Sequence, residues 1–318
     1  MRAFQVTEIG QAPQFRDVAE PVPGAGEALV AIRATGLNFA DLLMMKGQYQ
    51  DTPEPPFTLG MEICGTVLSL GPGTDGPPPG TRVAVVGGHG GLAERGVFPV
   101  ALCRPVPDAM SDAEAAGFQI AFGTAHLALT RRARLKAGET LVVTGAGGGV
   151  GLTAVAVGVA LGARVVAIAR GEEKLAAAKA AGAAHLIDAG TDLRAEVRAL
   201  GGADVVYDAV GGPGFGALLG ATNREGRIIV IGFASGEVPP VPANILLVKN
   251  IDVMGFYWGG YLKFAPAALA DSIAELMDWH VRGIIRTPVG AVFPLDRAEE
   301  ALALLADRRA VGKIIVTP

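Results

Sequence analysis

The chain has 318 residues, half of them hydrophobic and 18% charged, with a formal net charge of −4. That length accommodates two domains with separate cores, and the composition is globular rather than disordered. An acidic balance without a dense basic cluster excludes a nucleic-acid partner from the expected functions.

Taken in chain order, the first residues carry no apolar leader, because Glu8 and Gln11 interrupt it, and no secretory signal is expected. Residues 1–115 are rich in proline, glycine and β-branched runs. Strands are predicted at 28–33, 66–70 and 82–86, between turn signals at 21–24 and 76–80, which reads as a compact, mainly β domain. Two cysteines, Cys64 and Cys103, are too few for a disulfide scaffold and suggest a reducing, cytoplasmic setting.

From about Ser111 strands and helices alternate, as a parallel sheet requires. The group Arg131, Arg132, Arg134 and Lys136 reads as a solvated connection into that region. Strands are predicted at 141–144, 165–169, 185–187, 205–207, 227–231 and 251–255. Helices are predicted at 152–161, 172–181, 193–200 and 215–221, then at 266–282 and 297–307 before a closing strand at 313–316. The longest uncharged apolar run, Val150 to Ala163, is too short to span a bilayer, so no membrane association is expected.

The most informative segment, residues 140–151, reads Thr-Leu-Val-Val-Thr-Gly-Ala-Gly-Gly-Gly-Val-Gly. An apolar strand runs into a glycine turn and a helix follows at once. Residues without Cβ let backbone N–H groups approach a pyrophosphate, and the helix presents its positive end to it. The fingerprint is Ala146, Gly148 and Gly151, with Gly147, Gly149 and Val150 between them. In a chain with 45 glycines the pattern alone is weak; the flanking strand and helix strengthen it against a plain strand-to-helix turn.

With that turn placed, the chain resembles the medium-chain dehydrogenase/reductase superfamily, and within it the zinc-free quinone oxidoreductase (ζ-crystallin-like) branch. The resemblance rests on Gly36-Leu-Asn-Phe-Ala-Asp41, Gly60-Met-Glu62, Gly90-Gly-Leu-Ala-Glu94 and Phe122-Gly-Thr-Ala125. It extends through Ala133-Arg-Leu-Lys-Ala-Gly138, the glycine turn, Tyr207-Asp-Ala-Val-Gly211 and Gly312-Lys313. It implies an α/β fold. A GroES-like, mainly β catalytic domain (1–115 and 256–318) carries an inserted Rossmann domain (116–255) with a doubly wound parallel sheet. The implied cofactor is NADPH.

NAD-preferring folds place a carboxylate at the end of the second strand to meet the ribose hydroxyls. Here Ala169 stands about 20 residues past the fingerprint, followed by Arg170 and, one helical turn on, Lys174. An Arg/Lys pair suits a 2′-phosphate that a carboxylate would repel. The bland alternative is two surface cations paired with Glu172 and Glu173. Relatives often carry Tyr or His after the third Rossmann strand; this chain has Asp188-Ala189, a carboxylate that would oppose NADPH selectivity.

No metal is expected. Leu37-Asn38 and Gly60-Met61-Glu62 occupy the regions where zinc-dependent members hold Cys and His, and one carboxylate does not hold a catalytic zinc. By resemblance, Asn38 lies near the nicotinamide ribose or substrate, Asp41 supports that loop, and Tyr49 meets the acceptor oxygen or donates a proton. Capping, for Asn38 and Asp41, and packing, for Tyr49, are the structural alternatives. The resemblance also assigns cofactor contacts to Thr124, Val210, Gly232, Phe233, Ser235, Phe256 and Lys313. The implied activity is hydride transfer to a quinone or other α,β-unsaturated carbonyl. An enoyl-thioester reductase and a non-enzymatic, crystallin-like nucleotide binder are the alternatives. The segment 250–256 resembles the edge strand that pairs subunits in this superfamily, which implies a homodimer.

Overall fold

A computed structural model describes residues 1–318, and the chain divides into two compact units. The first comprises 1–120 and 287–318; the second comprises 121–286.

The first unit is built on short strands separated by turns. Its principal sheet runs Val289–Pro294, Lys313–Thr317, Glu27–Gly36, Glu62–Leu70, Arg82–Val86, Arg104–Pro105, with Arg95–Pro99 also paired to Glu27–Gly36. A smaller antiparallel sheet joins Gln14–Asp17, Arg2–Val6 and Phe57–Thr58. Alternation along the strands sends Val30, Ile32, Ile63, Val67, Val83 and Val85 into one core with Phe98. A second core gathers Phe4, Leu42, Met44, Leu59, Leu92, Leu302 and Ile314, so the C-terminal strand is packed beside residues from the other end of the chain.

The second unit carries one parallel sheet, in the order His185–Asp188, Arg164–Ala169, Thr140–Thr144, Ala203–Asp208, Thr222–Val230, Asp252–Gly255. Numbered along the chain this is 3-2-1-4-5-6, the Rossmann order. The winding reverses between Thr140–Thr144 and Ala203–Asp208, and ligands of open α/β sheets bind beyond the carboxyl ends of the strands at such a point. Both of these strands are almost wholly buried, which explains their continuous apolar runs.

One expectation is corrected. Residues 256–286 belong with the second unit. Helix Pro266–Val281 buries Leu269, Ile273 and Leu276, its Ser272 Oγ lies 2.9 Å from His126 Nδ1, and Trp279 stacks edge-on to that imidazole. Arg131 and Arg132 close a π-turn, Ala128–Arg132, that continues helix Gln119–Leu127; the sequence pattern predicts neither element. No helix is long and apolar enough to cross a membrane.

Candidate functional site: a glycine cradle and a buried charge cluster

In the second unit the strand Thr140–Thr144 leads through Gly145 (φ +62°) into helix Gly149–Ala160. The helix begins three residues earlier than its apolar pattern suggests, with Gly148 as an extended N-cap and no side chain capping its first turn. Its amino-terminal N–H groups are therefore available to an anion. The glycines are there for close approach. A Cβ on Gly151 would stand 2.1 Å from Gly145 O, and one on Gly147 would stand 2.4 Å from Lys174 Cβ. At Gly148 a Cβ would find only Gly145 O, at 3.6 Å, so the face beyond it is open.

The Gly147 contact shows where Lys174 lies: its aliphatic stem covers the glycine turn. Burial and the neighbouring Arg170 both push the Lys174 ammonium below its usual pKa, so two cations are held close together beside the turn. Asp188 does not oppose them freely. Its carboxylate accepts the Gly171 N–H (3.0 Å) and the Gly190 N–H (2.8 Å), and these bonds hold its pKa below the usual carboxylate range. Asp188 is thus a strap on the turn that carries Arg170. Cradle and cation pair together fit the phosphates of a dinucleotide.

The loops following the next two strands are stitched to one another. Ser235 N–H donates to Val210 O (2.9 Å), Ala234 N–H to Ala209 O (3.2 Å) and Gly212 N–H to Glu237 O (3.1 Å). Val210, Gly232, Phe233 and Ser235 are brought to the same end of the sheet, and Phe233 is exposed. Thr124 is buried on helix Gln119–Leu127, beside Gly123, where the Trp258 indole occupies the space a Cβ would need. Phe256 is buried and packed against Tyr261, with ring centroids 5.4 Å apart.

In the first unit, Asn38, Asp41, Glu62 and Lys313 form a buried cluster. Lys313 Nζ donates to Leu37 O (3.0 Å), Asn38 Oδ1 (2.9 Å) and Glu62 Oε2 (3.2 Å). All three ammonium hydrogens have partners within this unit. Asn38 Nδ2 donates to Gly36 O (3.1 Å) and Glu62 Oε2 (3.2 Å), so both of its amide hydrogens are engaged inside the unit. Asp41 accepts the Asn38 N–H (2.8 Å) and the Gly60 N–H (3.2 Å), capping helix Phe39–Met45. Burial raises its pKa to about 6, against the lowering effect of those bonds and of Lys313. Tyr49, just past that helix, is half-buried against the Phe4–Leu302 core. In the sequence Glu62 reads only as a remnant of a zinc motif; its partners lie too far along the chain for any local pattern to reveal.

The matches to known families agree with this geometry. Residues 24–108 match the profile "Alcohol dehydrogenase GroES-like domain", and residues 149–277 match "Zinc-binding dehydrogenase". A quinone oxidoreductase-like protein 2 homolog from Nematostella vectensis is 38% identical over 99% of this chain and 88% of its own length. The chain belongs to the quinone oxidoreductase-like branch of the medium-chain dehydrogenase/reductase superfamily. Quinone oxidoreductase-like protein 2 of Mus musculus, another relative, is 36% identical over 99% of this chain and 92% of its own. The quinone oxidoreductase of Thermus thermophilus, solved alone and with NADPH, superposes with a TM-score of 0.89 at 35% identity, covering both chains completely. A mycobacterial protein complexed with NADPH gives 0.94 at 33% identity, again over both full chains.

The zinc of this superfamily does not fit the residues present. Glu62 already faces an ammonium, and Asn38 and Met61 offer no anionic or imidazole donor. Burial, with Asp112 alongside, pushes the Cys64 thiol up to about 12, and burial pushes Cys103 to about 11, so neither supplies a thiolate. No three His, Cys, Asp or Glu side chains are grouped to hold a metal.

Proposed function

We propose that this chain is an NADPH-dependent oxidoreductase that reduces a quinone or another α,β-unsaturated carbonyl without a metal ion. The observation that carries the reading is the glycine cradle with Lys174 folded over Gly147 and Arg170 beside it, at a strand end that lacks an acid. The NADPH complexes of the two solved neighbours support it.

Gly147 to Gly151 would hold the pyrophosphate through backbone N–H groups, and Arg170 and Lys174 the 2′-phosphate. Val210, Gly232, Phe233 and Ser235 would flank the remaining length of the dinucleotide. When bound, NADPH supplies a hydride from its reduced nicotinamide. The acceptor must be electrophilic at carbon, because no metal ligand set is available to polarise an isolated carbonyl. In a conjugated carbonyl the electron pair moves onto oxygen, and Tyr49 or solvent then provides the proton. Asn38 and Asp41 act indirectly, fixing the turn and helix that lead to Tyr49.

The strand Asp252–Gly255 is the edge of its sheet, and the adjoining helix Ala243–Lys249 exposes Leu247 and Val248. An exposed edge with apolar neighbours wants a partner, and we infer a homodimer through it. A monomer by light scattering at micromolar concentration would exclude this.

The deciding assay follows cofactor oxidation with NADPH and with NADH against benzoquinone, an alkenal and crotonyl-CoA. Turnover of NADPH with a quinone or alkenal is expected. Turnover with the thioester alone would replace the substrate class. Cofactor binding without turnover on any acceptor would reject the enzyme reading.

A further inference from the structure

We propose that Thr144 and Asp208 are positioning residues whose hydrogen bond braces three loops into the shape that receives the dinucleotide; this rests on the cofactor reading above. They are the last residues of the two strands between which the winding of the sheet reverses, and both are buried. Thr144 Oγ1 donates to Asp208 Oδ1 at 2.6 Å and accepts the Ala209 N–H at 3.0 Å. The same Oδ1 accepts the Val210 and Gly211 N–H groups, each at 3.1 Å. One carboxylate oxygen thus takes three donors and pins the start of the loop after its own strand.

The brace extends in both directions. The pinned residues Ala209 and Val210 accept hydrogen bonds from Ala234 and Ser235, and Asp208 O accepts the Ile231 N–H at 2.8 Å, so the third loop is held through the second. On the other side Thr144 leads directly into Gly145, where a Cβ would stand 3.2 Å from Val210 Cγ2. Gly145 in turn sits under Gly151, close enough that a Cβ there would meet its carbonyl oxygen at 2.1 Å. A shift at Val210 therefore reaches the helix amino terminus through the branched Val210 side chain beside Gly145 and through the Gly145 backbone beneath Gly151.

A second feature separates positioning from plain stabilisation. Asp208 Oδ2 is buried and has no hydrogen-bond partner. A buried, unpaired carboxylate oxygen is costly, and such an exception asks for an explanation. An acceptor-only group that collects three donors at one place supplies it. An apolar residue at the same strand end would pack without that cost but would leave the Val210 and Gly211 N–H groups unheld.

The test replaces the hydroxyl while keeping the shape. Thr144→Val is expected to raise the calorimetric Kd for NADPH about tenfold, and Thr144→Ser to bring it back within about twofold of wild type. In the cofactor-free protein, Thr144→Val should speed amide exchange at 145–151 and 209–212. Thr222→Val serves as the control: it removes another buried hydroxyl of the same unit, bonded to Leu218 O at 2.8 Å, at the amino end of its strand. It should lower the melting temperature without moving the Kd. An unaltered Kd in Thr144→Val, or an equal rise in Thr222→Val, overturns the inference while wild type still binds NADPH. Wild-type protein that does not bind NADPH overturns the cofactor reading, and this inference with it.

Discussion

Replacing Lys313 by methionine distinguishes two readings of the same residue. A cofactor contact predicts a large loss of NADPH affinity in a protein of normal stability. The structure predicts the reverse. Lys313 is 3% exposed and its ammonium is the cation paired with Glu62, which is 0% exposed. Methionine fills the space of the stem but leaves Glu62 as a buried carboxylate holding only the Ile120 N–H (2.9 Å) and the Asn38 amide (3.2 Å). Removing one partner of a buried pair costs about 3–5 kcal/mol. For a unit of this size that corresponds to a fall of about 10 °C in melting temperature. The companion variant Lys313→Met/Glu62→Gln removes both charges and should recover at least about half of the loss, since the penalty comes mainly from the stranded carboxylate. Scanning calorimetry on the three proteins, with NADPH titrations beside it, decides the matter. A Lys313→Met protein that melts within about 2 °C of wild type but binds NADPH tenfold more weakly would refute the buried-pair argument.

The remaining predictions concern the cradle and the capping acid. Arg170→Ala and Lys174→Ala should each raise the NADPH Kd about tenfold while changing the NADH Kd less than about twofold; equal losses for both cofactors would mean that neither residue reads the 2′-phosphate. Gly151→Ala should lower the melting temperature and weaken NADPH binding, because its Cβ would meet a backbone oxygen at 2.1 Å. Gly216→Ala, in helix Gly214–Ala221 with nothing near its Cβ, should instead stabilise by up to about 1 kcal/mol, as urea denaturation would show. For Asp41 the folded protein holds its proton to about pH 6, whereas the unfolded chain releases it near 3.8. Between those values the folded state binds more protons, so rising pH favours unfolding. The stability of wild type relative to Asp41→Asn should therefore fall by up to about 3 kcal/mol from pH 4 to pH 7, and a difference that is flat or rises with pH contradicts it.

What was legible in the sequence follows the range of the interactions involved. The strands expected at 141–144, 165–169 and 205–207 correspond to Thr140–Thr144, Arg164–Ala169 and Ala203–Asp208, because buried parallel strands announce themselves as local apolar runs. The glycine turn was readable for the same reason. The strand Gln14–Asp17 was not, since all four residues are exposed and no alternation marks it. The boundary near residue 286 also escaped, because helix Pro266–Val281 is assigned by what it packs on, His126 among others, and not by its own pattern. Lys313 and Asn38 stand out in the sequence as unusual, but their partners lie in Leu37, Gly36 and the distant Glu62. Asp208 enters the sequence reading only inside the motif at 207–211, although an acid closing a run of Val205, Val206 and Tyr207 stands where the buried pattern calls for another apolar residue.

The buried cluster also bears on the chemistry open to the proposed enzyme. Glu62 stands in the segment that its zinc-dependent relatives are expected to use around the metal, yet here its negative charge is answered by a fixed monovalent cation. A divalent ion using Glu62 would have to displace Lys313 from the three acceptors at 2.9–3.2 Å, leaving an ammonium buried without partners. Resident ammonium and catalytic metal are therefore alternatives at this position. The ammonium does not substitute chemically for the metal either, because its three hydrogens are engaged and none is left to polarise a substrate carbonyl. Activation then has to come from the acceptor itself, through conjugation that delivers the incoming electron pair to an oxygen within reach of a proton donor. Isolated ketones and alcohols should consequently be poor substrates for this chain even where the cofactor is bound tightly.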